Sequence, residues 1–215
     1  MRILIIPWFK SSYKNINKYV DEYVKMGIKR ENIDVYDYNV NVNAVSPFGT
    51  FYKAYDINKN NKKDYEIVHS FSGGSFIQNS LQMAGWEFGK IVYDSGPMFV
   101  KPECLTQYLI GYGVINEGFR KPLNMGTDIL WGIEKYYYKK YKEYDFNKYN
   151  KLLFPKKTPT LLFNSSIDDI ILFDEIKDKS KDSEMILYDN SKHVQHMRYN
   201  YEDYIENLYN FIYKQ

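Results

Sequence analysis

Six short strand-like runs, each stopped by turn residues and separated by helix-patterned segments, constrain this chain more than any other feature. Residues 2–6 (Arg-Ile-Leu-Ile-Ile) are branched and apolar and stop at Pro7, which reads as a buried strand. Residues 32–38 alternate in polarity, and 65–70, 90–93, 160–163 and 184–188 complete the set. After the first run Ser11-Ser12 offers a cap. Ile16, Tyr19, Val20, Tyr23 and Val24 then recur at helical spacing until Gly27. Phe76, Ile77, Ser80, Leu81 and Ala84 do the same before Gly85, and Tyr201, Tyr204, Ile205, Leu208 and Ile212 share a last helical face. Strands alternating with helices predict an α/β fold, a mostly parallel sheet covered on both faces.

At 215 residues the chain is expected to form one domain, residues 1–215. Residues 98–157 are too long for a plain crossover and are read as a helical insertion. Basic and acidic residues nearly cancel, 29 against 27, which argues against a nucleic-acid partner held by overall charge. The single cysteine, Cys104, excludes an internal disulfide framework and a cysteine-built zinc site. No apolar run approaches the ~20 residues that span a bilayer, and the start lacks a secretory pattern. The expectation is a soluble, cytoplasmic protein. The 23 tyrosines and the preference for lysine over arginine read as compositional background.

The chemistry is concentrated after three of the predicted strands. Val68-His69-Ser70-Phe71-Ser72-Gly73-Gly74 reads as strand, tight turn and helix, with a serine at the turn and small residues around it. That is the pattern of a nucleophile elbow, which lifts a hydroxyl above the sheet and aims the next amide, Gly73, at an oxyanion. Its bland alternative is a close-packed turn or a phosphate cradle. The fifth strand opens into Asn164-Ser165-Ser166-Ile167-Asp168-Asp169, and the sixth into Asp189-Asn190-Ser191-Lys192-His193. Serine, acid and histidine then fall at one sheet edge, in the chain order of a Ser–acid–His hydrolase site. Asp169 sits beside Asp168 as a rival acid, and either could be a loop residue. Three histidines exist: His69, His193 and His196. His69, on the strand before the turn, reads as a core residue. His193 and His196 have a spacing that suits a metal, but no H-E-x-x-H pattern accompanies them, so no metal is expected.

Taken together, Phe71-Ser72-Gly73-Gly74, Asp94-Ser95-Gly96-Pro97, residues 165–168 and Ser191-Lys192-His193-Val194-Gln195-His196-Met197-Arg198 resemble a branch of the α/β-hydrolase superfamily. It is the branch of the eukaryotic nuclear-envelope transmembrane hydrolase-like proteins, formerly a domain of unknown function. Ser70 and Ser75 stand where glycine is common in it, and residues 98–157 match nothing there. The resemblance implies an α/β-hydrolase fold of about six strands, with Ser72 as nucleophile, Asp168 as acid and His193 as base. It leaves His196 as the alternative base. It also puts the Pro7-Trp8-Phe9 turn where a second oxyanion amide is supplied, from Trp8 or else Phe9.

The function expected is a serine hydrolase, carboxylesterase- or lipase-like, acting on a small-molecule ester or thioester, lipid-like acyl groups included, without cofactor or metal. Residues 98–157 would form a lid, with Met98, Phe99, Leu105, Leu109, Ile110, Phe119, Leu130 and Trp131 as candidate walls. The alternative is a hydrolase-fold binding module. Residues 135–157 hold eight lysines against Glu143 and Asp145 with interleaved tyrosines, a pattern that suits anionic partners such as a membrane surface.

Overall fold

The computed structural model describes residues 1–8, 11–37, 54–55, 57–97, 106, 116–126, 128–129, 151–171 and 173–213. Its centre is a six-stranded sheet in the order β2-β1-β3-β4-β5-β6, parallel throughout. The strands are β1 (Ile3–Ile6), β2 (Ile33–Val35), β3 (Asp64–Phe71), β4 (Glu87–Asp94), β5 (Thr160–Ser165) and β6 (Glu184–Tyr188). The helices that pack around it include α1 (Tyr13–Lys25), α2 (Gly74–Met83), α3 (Phe173–Lys177), α4 (His196–Tyr199) and α5 (Tyr201–Tyr213).

The period-2 geometry of the strands sorts their side chains into two cores. Leu4, Ile6, Val68, Ile91, Tyr93 and Leu162 face one way and meet Phe76, Ile77 and Leu81 of α2 and Ile176 of α3. Ile3, Ile5, Ile67, Phe71, Val92, Leu161 and Phe163 face the other way and meet Ile16, Tyr19, Val20 and Tyr23 of α1 and Tyr204, Leu208 and Ile212 of α5. Burial on both faces explains why β1 is apolar at every position and does not alternate. Helix α1 begins where the sequence offers a cap: Asn15 N donates to Ser12 Oγ at 3.3 Å. It ends just before Gly27, whose φ of +93° suits a residue without Cβ.

The chain passes from β1 outward to β2, then back across β1 to β3 and on to β6. Strand order therefore reverses between β1 and β3. In open α/β sheets the crevice beyond the carboxyl ends at such a reversal is where ligands bind. Among the described residues, no helix is long and apolar enough to cross a membrane. Most of the expected insertion, and residues 135–150 of the lysine- and tyrosine-rich stretch, lie outside the described residues. Of the eight candidate wall residues only Phe119 is described, and it is exposed.

Candidate active site

Strand β3 ends at Phe71, and Ser72 turns the chain at φ +49° before α2 starts at Gly74. A left-handed φ is uncommon for a residue other than glycine and costs about 1–3 kcal/mol. The turn is held from both sides: Ser72 N donates to Asp94 O at 2.9 Å, and Ser75 N and Ser75 Oγ donate to Ser72 O at 3.1 and 2.9 Å. A Cβ on Gly74 would lie 2.7 Å from Ile6 O and 2.8 Å from Pro7 O. The helix can thus close onto the end of β1 only because residue 74 is glycine. Trp8 follows directly, half-buried, its ring edge-on to Phe71 with centroids 5.7 Å apart. Phe9 lies outside the described residues. Gly73 is the N-cap of α2, so its neighbourhood carries the partial positive charge of a helix start.

The serines on either side of the turn, Ser70 and Ser75, make specific bonds. Ser70 Oγ donates to Gln78 Oε1 at 2.7 Å, Gln78 Nε2 to Tyr93 Oη at 2.9 Å, and Tyr93 Oη to Leu153 O at 3.0 Å. Ser75 makes the bond to Ser72 O given above.

The other two candidate residues reach the same point from β5 and β6. His193 Nε2 lies 2.7 Å from Ser72 Oγ, and His193 Nδ1 lies 2.8 Å from Asp168 Oδ2. The second carboxylate oxygen of Asp168 accepts from Ile170 N at 2.8 Å and Ile171 N at 3.0 Å, which fixes its orientation. Burial pushes Asp168 up. The hydrogen bond and charge of His193 and the two amides outweigh it, so the carboxyl sits below its usual range. Asp169 is exposed to solvent. Hydroxyl, imidazole and carboxylate thus form one hydrogen-bonded line, able to pass a proton from oxygen to Nε2 while the carboxylate holds the ring.

The remaining histidines have other surroundings. His196 is fully buried; it bonds Ser95 Oγ through Nε2 at 2.9 Å and Ser191 Oγ through Nδ1 at 2.7 Å, and does not reach Ser72. Burial lowers it to about 4, with Asp168 raising and His193 lowering it further. His69 is the expected core histidine, 0% exposed, between Tyr23 Oη at 2.8 Å and Tyr204 Oη at 3.3 Å. Burial lowers it to about 3, so it is neutral. Among the described residues, no group of three His, Cys, Asp or Glu is placed to hold a metal ion.

One buried acid has a place in the sequence pattern but no role that the sequence assigns. Asp94 ends β4, fully buried, and accepts from Tyr204 Oη at 2.9 Å. Burial raises it to about 7; Tyr204 pulls it down, Asp168 pushes it up, and Ser95 and Tyr19 pull it down. The signal was available in Asp94-Ser95-Gly96-Pro97 at a strand's carboxyl end, but nothing in a linear sequence says which loop an acid faces.

No family model and no curated protein matches the chain. Solved structures do match over nearly its whole length. An esterase of Pyrococcus furiosus superposes with a TM-score of 0.63 at 12% identity, covering 98% of this chain and 81% of that one. An α/β-hydrolase enzyme from the metagenome of sediments of the Mar Chica lagoon, Morocco, gives 0.54 at 14% identity, over 98% and 90%. A bromoperoxidase of Bacillus anthracis gives 0.58 at 13%, over 98% and 91%. The chain has the α/β-hydrolase fold, as its sheet order and parallel strands also indicate.

Proposed function

We propose that this protein is a serine hydrolase that cleaves an ester or thioester, with Ser72, His193 and Asp168 as its catalytic triad. The observation that carries the reading is the continuous line of bonds from Ser72 Oγ through both nitrogens of His193 to Asp168, 2.7 and 2.8 Å long. A hydroxyl is a weak nucleophile alone and becomes a strong one when a base takes its proton during attack. Fold does not imply function, as an esterase and a bromoperoxidase on one architecture illustrate. The name of the Pyrococcus enzyme agrees with ester hydrolysis.

In this reading Ser72 Oγ attacks the acyl carbon and its proton passes to His193 Nε2. Asp168 holds the imidazole with Nδ1–H toward itself and stabilises the imidazolium. The carbonyl oxygen becomes an oxyanion facing Gly73 N–H and Trp8 N–H, each donor contributing about 3–4 kcal/mol. The tetrahedral adduct collapses, and the leaving alcohol or thiol takes the proton from Nε2. Water then attacks the acyl-enzyme by the same route, with His193 as base and then acid. The resemblance to the nuclear-envelope hydrolase-like branch belongs to this proposal too. It rests on the elbow, on the Asp94-Ser95-Gly96-Pro97 turn and on the segment from Ser191 to Arg198.

A fluorophosphonate probe tests the reading. Wild type should label with one equivalent at Ser72, Ser72→Ala should not label, and both should be folded by circular dichroism. A folded wild type that never labels, and does not hydrolyse nitrophenyl acetate, would overturn it.

A further inference from the structure

We propose that His196 is a positioning residue for His193: it clamps the turn after β6 onto the turn after β4. The proposal rests on the triad reading above, since it explains how His193 is held.

The turn that carries His193 lacks sheet bonds of its own; one backbone bond, Gln195 N to Lys192 O at 3.0 Å, closes it, and side chains tie it to its surroundings. Ser191 Oγ reaches forward to His196 Nδ1 at 2.7 Å, which closes residues 191–196 on themselves. From the neighbouring turn, Ser95 Oγ lies 2.9 Å from His196 Nε2 and accepts from Val194 N at 2.7 Å. Val194 directly follows His193 and has a φ of +53°. That conformation is an outlier for a β-branched residue and persists only where its surroundings impose it. The bond from its amide to Ser95 is such a constraint. Ser95, itself at φ +51°, is anchored by its own N–H to Phe163 O at 2.9 Å.

His196, Ser95 and Ser191 are all 0% exposed, and both ring nitrogens of His196 are engaged. Asp94 Oδ1 lies 3.8 Å from Nε2, beyond hydrogen-bonding distance. A buried group with both nitrogens bonded to two different turns acts as a pin. The turn after β6 is thereby registered against the turn after β4, the strand that neighbours β3 and its Ser72. The second histidine of Ser191-Lys192-His193-Val194-Gln195-His196 thus has a role distinct from proton transfer.

The test compares His196→Leu, His196→Gln and Ser191→Ala with wild type. Each is measured for the labelling stoichiometry and rate of a fluorophosphonate probe, and for kcat and KM on nitrophenyl acetate. A 1 Å misplacement of a reacting group costs about 100-fold, so His196→Leu should label to one equivalent but about 100-fold more slowly. Its kcat should fall in parallel, with KM within about twofold of wild type. His196→Gln, which keeps a polar group toward Ser95, should recover part of the rate. Ser191→Ala removes one hydrogen bond and should slow labelling by about tenfold. A merely structural role would leave fewer sites, each reacting at the normal rate. Wild-type rates per labelled site in His196→Leu and Ser191→Ala would overturn the proposal; should His196→Leu fail to fold, Ser191→Ala decides. A wild type that does not label at all instead overturns the triad reading, and this inference falls with it.

Discussion

Replacing Asp168 by Asn separates the acid's chemical role from its structural one. The side chain makes three bonds, and Asn can keep two of them. Its carbonyl oxygen can take the place of Oδ1, accepting from Ile170 N and Ile171 N at 2.8 and 3.0 Å. Its NH2 then occupies the place of Oδ2, 2.8 Å from His193 Nδ1. A donor there forces Nδ1 to accept, so the ring proton moves to Nε2, which faces Ser72 Oγ. His193 can no longer take the serine proton. The same exchange in a serine-protease triad lowers kcat by about 10⁴-fold, equivalent to about 5.5 kcal/mol of barrier. That is the expected loss in nitrophenyl acetate hydrolysis. Labelling by a fluorophosphonate should slow comparably, while circular dichroism stays that of wild type. Stability should follow a definite pH pattern. The Asp168 carboxyl is held below its usual range, so its contribution is present above the unfolded pKa of about 3.9 and is lost as pH falls through the lower folded value. Wild type should therefore exceed Asp168→Asn in urea midpoint at pH 7 and converge with it in acid. A folded Asp168→Asn within tenfold of wild-type activity would refute the reasoning and remove Asp168 as the orienting acid.

Asp94→Asn should act in the opposite sense on stability. A carboxyl raised to about 7 favours folding below its unfolded value of about 3.9 and loses that contribution as pH rises to 7. Neutral His69 and His196 slope the other way over part of this range, so the informative quantity is variant minus wild type. That difference should shift toward the variant between pH 4 and 8, by up to about 4 kcal/mol in urea unfolding; a flat difference would show that Asp94 does not titrate there. Gly74→Ala should destabilise by about 1–3 kcal/mol, because the new Cβ meets two backbone carbonyls at 2.7 and 2.8 Å. It should also slow labelling of Ser72, and an unchanged urea midpoint would contradict the close approach of α2 to β1.

The sheet was legible because its signal is local. Branched apolar runs ending in turn residues place β1, β3, β5 and β6 to within two residues. Strand β4 is longer than the 90–93 run that its sequence pattern marks. It starts at Glu87, where Gly89 weakens the strand signal, yet a Cβ at 89 would meet Glu66 O at 2.9 Å. Strand β2 is shorter than its alternating 32–38 pattern: among the described residues only Ile33–Val35 pairs with β1. Ser72, Asp168 and His193, which the structure brings into one hydrogen-bonded line, stand out in the sequence because each follows a strand at one sheet edge. The distinction between His193 and His196 was not legible. It depends on the left-handed turn at Val194, a residue type that gives no hint of such a conformation, and on Ser95 from a loop about a hundred residues earlier.

Among the described residues, three that are not glycine have a left-handed φ: Ser72, Ser95 and Val194. They follow β3, β4 and β6, all at the edge where the Ser72–His193–Asp168 line lies. Each is anchored by its amide. Ser72 N donates to Asp94 O, Ser95 N to Phe163 O, and Val194 N to Ser95 Oγ. The first two bonds continue the sheet ladder one step past the strand, from β3 to β4 and from β4 to β5. At about 1–3 kcal/mol per residue, these conformations would relax in an unsupported loop. Relaxing them would break a ladder bond at Ser72 or Ser95, or cost the Val194 amide its acceptor. The sheet therefore does more than display three turns at one edge. It holds Ser72 and Ser95 directly, and Val194 through the Ser95 side chain, in conformations that their residue types disfavour, while a serine from β3 and a histidine from β6, 121 residues apart, meet at 2.7 Å.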